Sequence, residues 1–258
     1  MGKRTIQQAI EQVNQNGEKA FIPYIMAGDH GLENLRDQLL FLQQSGATVI
    51  ELGIPFSDPV ADGPTIQEAG KRALKQGTTL KKIFDTLQEI RQDVTVPIVL
   101  MTYINPVFKY GLERFFKDSE NAGVDGLIIP DVPLEQRSLF EQHMQQTDLA
   151  LIQLVTLTSP DQRIESLAKA SEGFLYAVTV TGITGARSEV SEKLESFIDK
   201  LKKHSDVPVL AGFGISTPAQ VREISSLGDG VIVGSRIVDL LHKGKRDEIF
   251  ELIQAVRG

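Results

Sequence analysis

The sequence predicts a single (β/α)8 barrel, an α/β fold of the TIM-barrel type, with one extra helix at its N-terminus. Eight short apolar segments alternate with segments whose apolar residues recur at helical spacing. The apolar segments are nearly continuous, which is typical of parallel strands covered on both faces. The length of 258 residues also matches this fold, which typically needs about 250. An open, doubly wound sheet is the alternative, because the same alternation permits it.

The elements follow from local signals taken in order. The first helix, residues 4–16, places Ile6, Ile10 and Val13 on one side, and Gly17 ends it. The predicted strands are residues 20–26, 48–53, 96–101, 126–130, 149–155, 174–178, 207–213 and 230–233. The predicted helices between and after them are residues 32–45, 65–76, 80–91, 112–122, 134–146, 161–170, 191–204, 217–226 and 247–257. No linker or change of composition divides the chain, so we expect residues 1–258 to form one domain.

Composition and charge exclude several classes of protein. A net charge of −7 disfavours nucleic-acid binding, which needs basic surfaces. Cysteine is absent, so neither disulfides nor thiolate chemistry is expected. The N-terminal residues turn polar before an apolar signal-peptide core forms, and no apolar run approaches the roughly 20 residues of a membrane span. We therefore expect a cytoplasmic protein without membrane or nucleic-acid partners.

Residues 49–64 are the predicted catalytic segment. An apolar strand carries Glu51 close to its carboxyl end, where barrel enzymes place their active sites. Burial in such a strand raises the pKa of a carboxyl group and suits it to proton transfer. The loop that follows is stiffened by three prolines and carries Asp58 and Asp62. By itself, either aspartate is equally compatible with a turn or a helix start.

Two similar strand–helix junctions predict a phosphate site. Gly214 follows the seventh predicted strand, and Gly234 with Ser235 follows the eighth. Glycine lets the backbone approach a ligand closely, and a helix N-terminus offers free N–H groups and a positive dipole end. An acidic protein can bind an anion in this way without a basic patch. Tight turns alone would explain either junction, but the two together favour phosphate.

The remaining candidates and absences narrow the chemistry. Tyr176 lies in the sixth predicted strand, where a tyrosine can be core or site. The Gly/Thr-rich residues 179–187 after it favour a lid, and a mobile linker is the alternative. Among the histidines, only His30 falls in a loop at the predicted active face, and no cluster has metal-ligand spacing, so no metal is expected. No predicted strand interior contains a lysine, which disfavours a Schiff base. With metal and Schiff-base mechanisms disfavoured, the sequence predicts carboxylate acid–base chemistry on a small phosphorylated substrate.

Five segments in the same order give the chain a close resemblance to the tryptophan synthase alpha chain family. They are residues 50–64 (IELGIPFSDPVADGP), 101–106 (MTYINP), 129–133 (IPDVP), 181–185 (TGITG) and 212–216 (GFGIS). The resemblance spans essentially the whole chain, and the first segment is highly specific. It implies a lyase that cleaves indole-3-glycerol phosphate to indole and glyceraldehyde 3-phosphate in a retro-aldol reaction.

The resemblance also implies roles for individual residues. Glu51 would protonate the indole carbon that bears the side chain, and Asp62 would hold the indole N–H and stabilise the resulting cation. Tyr176 would line the site near Glu51, and Thr184 would position Asp62 when the lid closes. The residues that would contact the phosphate are Gly185, Phe213, Gly214, Gly234 and Ser235. Val180 stands where some relatives carry a basic residue, so contacts of the lid are in doubt.

The same resemblance implies a tryptophan synthase beta chain as partner in an alpha2-beta2 tetramer. Pyridoxal phosphate is then expected only in that beta chain, and no cofactor in this one. Another phosphate-binding barrel, such as indole-glycerol-phosphate synthase, would keep the two glycine junctions but needs a lysine that the predicted strands lack. A non-catalytic subunit that only activates its partner is the other alternative, and the Glu51–Asp62 pair argues against it.

Overall fold

A computed structural model of the chain describes residues 2–179, 187–212 and 214–257. Its strands, all parallel to their neighbours, are β1 (Ala20–Met26), β2 (Ile50–Gly53), β3 (Ile98–Met101), β4 (Gly126–Ile128), β5 (Ala150–Leu151), β6 (Gln153–Thr156), β7 (Leu175–Val178), β8 (Val209–Gly212) and β9 (Gly230–Val233).

The helices occupy the intervals that the periodicity predicts, with two additions. They are α1 (Lys3–Gln15), α2 (Leu35–Gln44), α3 (Pro64–Lys75), α4 (Leu80–Ile90), α5 (Ile104–Tyr110), α6 (Leu112–Asn121), α7 (Ser138–Gln146), α8 (Asp161–Ala170), α9 (Arg187–His204), α10 (Pro218–Leu227), α11 (Ser235–His242) and α12 (Arg246–Gln254). Short 3-10 turns, Leu32–Asn34 and Leu134–Gln136, precede α2 and α7. Among these described helices, none combines the length and the apolar character that a membrane span requires.

The sheet closes into a barrel, which confirms the predicted fold class and excludes the open sheet. Its strand order is β5-β4-β3-β2-β1-β9-β8-β7-β6, and the two end strands are joined through the single residue Ile152. The predicted strand 149–155 is thus split: its first half pairs with β4 and its second half with β7. Ile152 still donates its backbone N–H to the Leu127 carbonyl at 3.0 Å, so the hydrogen-bonded ring passes through the break.

Side chains of the strands alternate between two cores. In β1, Phe21 and Ile25 face the layer between the strands and the helices, whereas Ile22 and Tyr24 face the barrel axis. Burial of every residue in β1 explains why the strand shows no polar alternation.

The additional N-terminal helix covers the amino end of the barrel. Ile6 and Ile10 of α1 are fully buried against the inward-facing side chains of the strands. The backbone N–H of Gly2 donates to the Asp125 carboxylate at 2.8 Å, and that of Lys3 to the Asp148 carbonyl at 2.8 Å. With its amino end covered, the barrel is accessible from the carboxyl ends of the strands.

Two helices lie where the sequence analysis predicted no separate helix. Residues 104–110 form α5, although Pro106 favours a turn; a proline in the first helical turn removes an N–H that has no intrahelical partner. Gly111, with φ of +95°, separates α5 from α6. Residues 235–242 form α11, a short helix directly after the last strand. Both helices begin at the carboxyl end of the barrel.

Candidate active site

A cavity of about 400 Å³ lies at the carboxyl ends of the strands. Six residues that the sequence predicts for the site line it: Glu51, Asp62, Tyr176, Gly214, Gly234 and Ser235. Apolar side chains of Met101, Leu154 and Ile232 form much of its wall. Thr184, Gly185, Phe213 and residues 180–186 of the predicted lid lie outside the described residues. The tertiary structure thus brings together residues from six strands and the loops that follow them in one pocket.

Glu51 is a buried acid directed toward the barrel axis. It is 2% exposed, and it lies in register between Tyr24 of β1 and Val99 of β3. Its Oε2 atom is buried and has no hydrogen-bond partner among the described residues. Burial, and secondarily the negative charge of Asp62, raises the pKa of Glu51 to about 8. Glu51 therefore carries its proton at neutral pH and can donate it to a ligand in the cavity.

Asp62 faces the same cavity from the loop between β2 and α3. Its backbone N–H donates to the Pro59 carbonyl at 3.1 Å, and its own carbonyl accepts from Gln67 Nε2 at 2.9 Å. Partial burial raises the pKa of the Asp62 carboxyl, and a hydrogen bond with Tyr103 acts in the opposite direction. The pocket thus holds a carboxylic acid with a strongly raised pKa beside a second carboxyl that a donor helps to keep ionised.

Tyr103 is a site residue that the sequence analysis quoted only within a matching segment. It lies two residues after the end of β3 and is 3% exposed. Its hydroxyl accepts the backbone N–H of Ala61 at 3.1 Å and donates to the Asp62 carboxylate. Its ring packs against Phe56 with centroids 5.5 Å apart. A polar aromatic residue at a strand's carboxyl end was the available signal, but the hydrogen bond across 42 residues has no local signature.

Tyr24 and Tyr176 stand inside the barrel mouth because glycines on other strands leave room for them. A Cβ atom on Gly53 would lie 2.0 Å from the Tyr24 hydroxyl oxygen, and one on Gly212 would lie 2.5 Å from the Tyr176 ring. Burial raises the pKa of both phenols, so both are protonated. Tyr176 lies in β7 and lines the cavity with Glu51, and its role at the site stays a prediction; Tyr24 was assigned to a strand without a role. Because every residue of β1 is buried, its sequence shows no alternation that could have placed Tyr24 toward the axis.

The two glycine junctions differ in how their helices begin. At α10, Thr217 and Gln220 form a capping box, in which each side chain binds the other's backbone N–H. At α11, Gly234 precedes the helix, and no side chain of residues 2–179, 187–212 or 214–257 caps it. Free N–H groups and the positive end of the dipole are therefore available at Gly234 and Ser235. Gly214, with φ of +76°, contributes backbone to the cavity from the α10 side.

Three potential metal ligands meet at the rim, although the sequence analysis expected no metal. Atoms of Asp29, His30 and His242 lie within 4.8 Å of one another. Their separation along the chain hid this cluster from any spacing argument. Asp29 already accepts two hydrogen bonds from Arg72, at 2.5 and 2.9 Å, and Gln38 lies 3.2 Å from His30 Nδ1. We therefore assign no metal to this cluster.

Comparison with known proteins gives one consistent result. A family profile described as tryptophan synthase alpha chain matches residues 10–257. The tryptophan synthase alpha chain of Bacillus cereus is 53% identical over 257 residues, covering 100% of this chain and 98% of the relative. That of Bacillus mycoides is 54% identical over 243 residues, which is 94% of each chain. Among solved structures, a chain of tryptophan synthase from M. tuberculosis superposes with a TM-score of 0.89 at 31% identity, with 100% of both chains covered.

Proposed function

The chain belongs to the tryptophan synthase alpha chain family, and on that premise we propose how its side chains perform the reaction. The reaction is the retro-aldol cleavage of indole-3-glycerol phosphate to indole and glyceraldehyde 3-phosphate, a lyase step of tryptophan biosynthesis. The indole passes to a beta-chain partner. We assign this chemistry to residues of the cavity, and we place the protein in the cytoplasm, as expected for a biosynthetic enzyme.

Glu51 is the proposed acid and base. Its proton is transferred to the indole carbon that bears the glycerol phosphate chain, which converts the indole into an indoleninium cation and leaves Glu51 ionised. The carbon–carbon bond then breaks; its electron pair restores the neutral indole, and the adjacent hydroxyl becomes the aldehyde as its proton returns to Glu51. A donor with a pKa of about 8 suits both transfers near neutral pH.

Asp62 is the proposed electrostatic partner of the cation. Its carboxylate would accept the indole N–H, whose positive charge grows as the ring carbon is protonated. Preorganised charge of this kind stabilises a transition state because no reorganisation is needed at the moment of reaction. The Tyr103 hydroxyl supports the ionised form of Asp62.

The substrate phosphate would lie at the uncapped N-terminus of α11. Gly234 and Ser235 line the cavity there, and Gly214 lines it from the neighbouring junction. The roles predicted for Thr184, Gly185 and Phe213 stay proposals, since these residues lie outside the described part of the chain.

The partner of the family is a tryptophan synthase beta chain, and we propose an alpha2-beta2 tetramer in which that chain holds pyridoxal phosphate. We propose no cofactor in this chain. A surface at the carboxyl end of the barrel suits the partner: the loop 54–63, helix α5 and residues 131–133, together called the partner face. Val60 is 76% exposed and Phe108 48% exposed there, whereas the neighbouring Val107 is fully buried.

The observation that carries the proposed mechanism is the buried Oε2 atom of Glu51, which lies in the cavity with Asp62 and has no hydrogen-bond partner in the described part of the chain. We expect Glu51→Gln to lower kcat by about 10²–10⁴-fold, because general acid–base catalysis contributes that much. Asp62→Asn should also lose most activity, since an amide does not offset the developing cation. Indole release by the purified chain measures the rate, and saturation with substrate shows that binding is retained. Native-like kcat in Glu51→Gln would exclude Glu51 as the proton donor.

A further inference from the structure

Helix α5 begins without a cap of its own. Its N-cap residue is Tyr103, whose side chain makes no capping hydrogen bond, although Ser, Thr, Asp and Asn are strongly preferred at this position. The Asp131 carboxylate supplies the missing acceptor from the loop after β4: the backbone N–H of Ile104 donates to its two oxygens at 3.0 and 3.2 Å. A negative charge at a helix N-terminus is also favourable for the dipole. The cap of α5 thus comes from 27 residues further along the chain.

The Tyr103 side chain does not cap the helix and instead contacts the loop that carries Asp62. Its hydroxyl accepts the Ala61 N–H at 3.1 Å and donates to the Asp62 carboxylate. The ring is buried and packs against Phe56, which belongs to the same loop as Asp62. The loop that carries Asp62 is therefore held at two points by one tyrosine.

We infer that Tyr103 is a positioning residue for Asp62, and that Asp131, by capping α5, positions Tyr103. This inference rests on the proposed role of Asp62. Tyr103 and Asp131 connect the Asp62 carboxylate to α5 and to residues 131–133, which form part of the partner face. A beta chain that packs on α5 or on Asp131 would act on the Asp62 carboxylate through Tyr103, without touching the substrate.

The ionisation of Asp62 provides a specific readout of this role. The charge of Asp62 acts on Glu51 of β2 and Tyr24 of β1, Tyr103 forms a hydrogen bond with its carboxyl group, and Arg236 and Asp239 of α11 line the same cavity. Of these, Tyr103 is the group whose hydrogen bond favours the carboxylate. Without the hydroxyl, the pKa of Asp62 should rise, so that activity is lost at a higher pH as the solution is acidified.

The first test compares two tyrosines of the same helix region. We expect Tyr103→Phe to lower kcat by about 10- to 100-fold, as for a hydrogen bond to a charged group. The acidic limb of its pH–rate profile should move to higher pH, while KM and inhibition by glycerol phosphate change little. Tyr110→Phe is the matched control: its hydroxyl donates to Asp118 at 2.6 Å, away from the cavity, and its removal should leave both rate and pH profile unchanged. A Tyr103→Phe rate within about twofold of wild type and an unmoved acidic limb would overturn the inference.

The second test examines the Asp131–Tyr103 connection by a double-mutant cycle in the full chain, alone and with the beta chain. Asp131→Ala should lower kcat about 3- to 10-fold, and Asp131→Asn, which keeps an acceptor for Ile104, should restore most of it. Tyr103→Phe and Asp131→Ala should combine to less than the product of their separate effects, because both act through one contact series. Independent effects would refute the role of Asp131.

The activities of Asp62→Asn and Tyr103→Phe distinguish a wrong role for Asp62 from a wrong role for Tyr103. If Asp62→Asn retains full activity, the proposed role of Asp62 fails and the inference fails with it. If Asp62→Asn is inactive but Tyr103→Phe behaves as wild type, only the inference fails. Thermal melting of each variant distinguishes a lost fold from a lost contact, and Asp131→Ala tests the same connection without altering the cavity.

Discussion

At the scale of the residue, burial of Glu51 gives the protein a reactive group and costs it stability. The unfolded carboxyl, with its ordinary pKa of 4.5, is ionised at pH 7, whereas the folded one, with a pKa of about 8, is protonated. One pKa unit corresponds to about 1.4 kcal/mol, so taking up this proton costs about 3 kcal/mol of folding free energy at pH 7. Because the folded-state pKa is raised, the free energy of unfolding is highest below the unfolded pKa of 4.5. It falls as the pH rises from there to about 8, above which the full cost is present.

Glu51→Gln should therefore be more stable than the wild type at neutral and alkaline pH. The amide carries no charge in either state, so the proton cost is removed. We expect an advantage of about 3 kcal/mol at pH 7 that shrinks toward zero below about pH 4.5. Urea unfolding of both proteins between pH 5 and pH 8 measures it. A stability difference that did not change with pH would contradict the raised pKa.

Gly234 offers a second residue-level test, of the phosphate site. A Cβ atom there would lie 3.7 Å from the nearest atom, in the Tyr24 side chain, so Gly234→Ala should fold. Its methyl group would obstruct a ligand at the N-terminus of α11, and we expect glycerol phosphate to bind about tenfold more weakly, about 1.4 kcal/mol.

Gly70→Ala is the matched control, since its Cβ atom would also meet only an ordinary contact, at 3.6 Å from Met26. Its binding of glycerol phosphate, followed by calorimetry, should equal that of the wild type. Gly214 is the less informative target, because its φ of +76° strains any other residue there regardless of ligand. Unchanged binding by Gly234→Ala would place the phosphate away from α11.

At the scale of the element, the amino end of the barrel contributes to stability and the carboxyl end to catalysis. Asp125, immediately before β4, is fully buried at the amino end and joins three segments. Its carboxylate accepts the N–H groups of Gly2 at 2.8 Å and Ile98 at 2.9 Å, and pairs with Arg91 at 3.0 Å. These contacts fix α1, β3 and α4 around the start of β4, far from the cavity. The amino end of such a barrel serves stability, and the carboxyl end serves chemistry.

Asp125→Ala should destabilise the fold by about 3–5 kcal/mol, because it leaves the buried Arg91 charge and two N–H groups without their acceptor. The folded fraction should keep its kcat, since Asp125 does not line the cavity. Denaturant unfolding with a parallel activity assay tests both statements. Asp85→Ala, which removes an exposed pair with Lys81, is the control and should change stability by less than about 1 kcal/mol.

At the scale of the whole molecule, the carboxyl end of the barrel combines the cavity with the partner face. The Asp62 loop, α5 and residues 131–133 are joined by Tyr103 and Asp131, so ordering of the face by a partner would also order Asp62. We therefore expect the beta chain to raise kcat/KM for indole release at least about tenfold, or roughly 1.4 kcal/mol of transition-state stabilisation. Titration of the beta chain against a fixed amount of this chain measures the effect.

Matched variants locate that activation. Phe108 and Phe250 are each 48% exposed, the first on the partner face and the second on α12. Phe108→Ala, and substitutions of Asn105 or Pro133, should reduce activation by the beta chain more than they reduce the basal rate. Phe250→Ala should change neither. A flat titration, with complex formation shown independently, would refute partner-driven ordering of the face.

The sequence by itself determined the order of elements, the catalytic segment and the glycine junctions. Helical and strand periods are local properties, which is why β1, α8 and β9 begin and end where the pattern predicts. Glu51 was identifiable because a charged residue interrupts an apolar strand near its carboxyl end. That residues 1–258 form one domain stays a prediction.

Only the tertiary structure decided which of these candidates has the environment that chemistry requires. Closure through Ile152, the uncapped start of α11 beside the capped start of α10, and the bond from Tyr103 to the Asp62 loop all depend on partners distant in the sequence. The raised pKa of Glu51 likewise results from desolvation by several elements at once. Periodicity in the sequence indicates which face of an element is buried. The packing of distant elements determines which polar groups are left without partners.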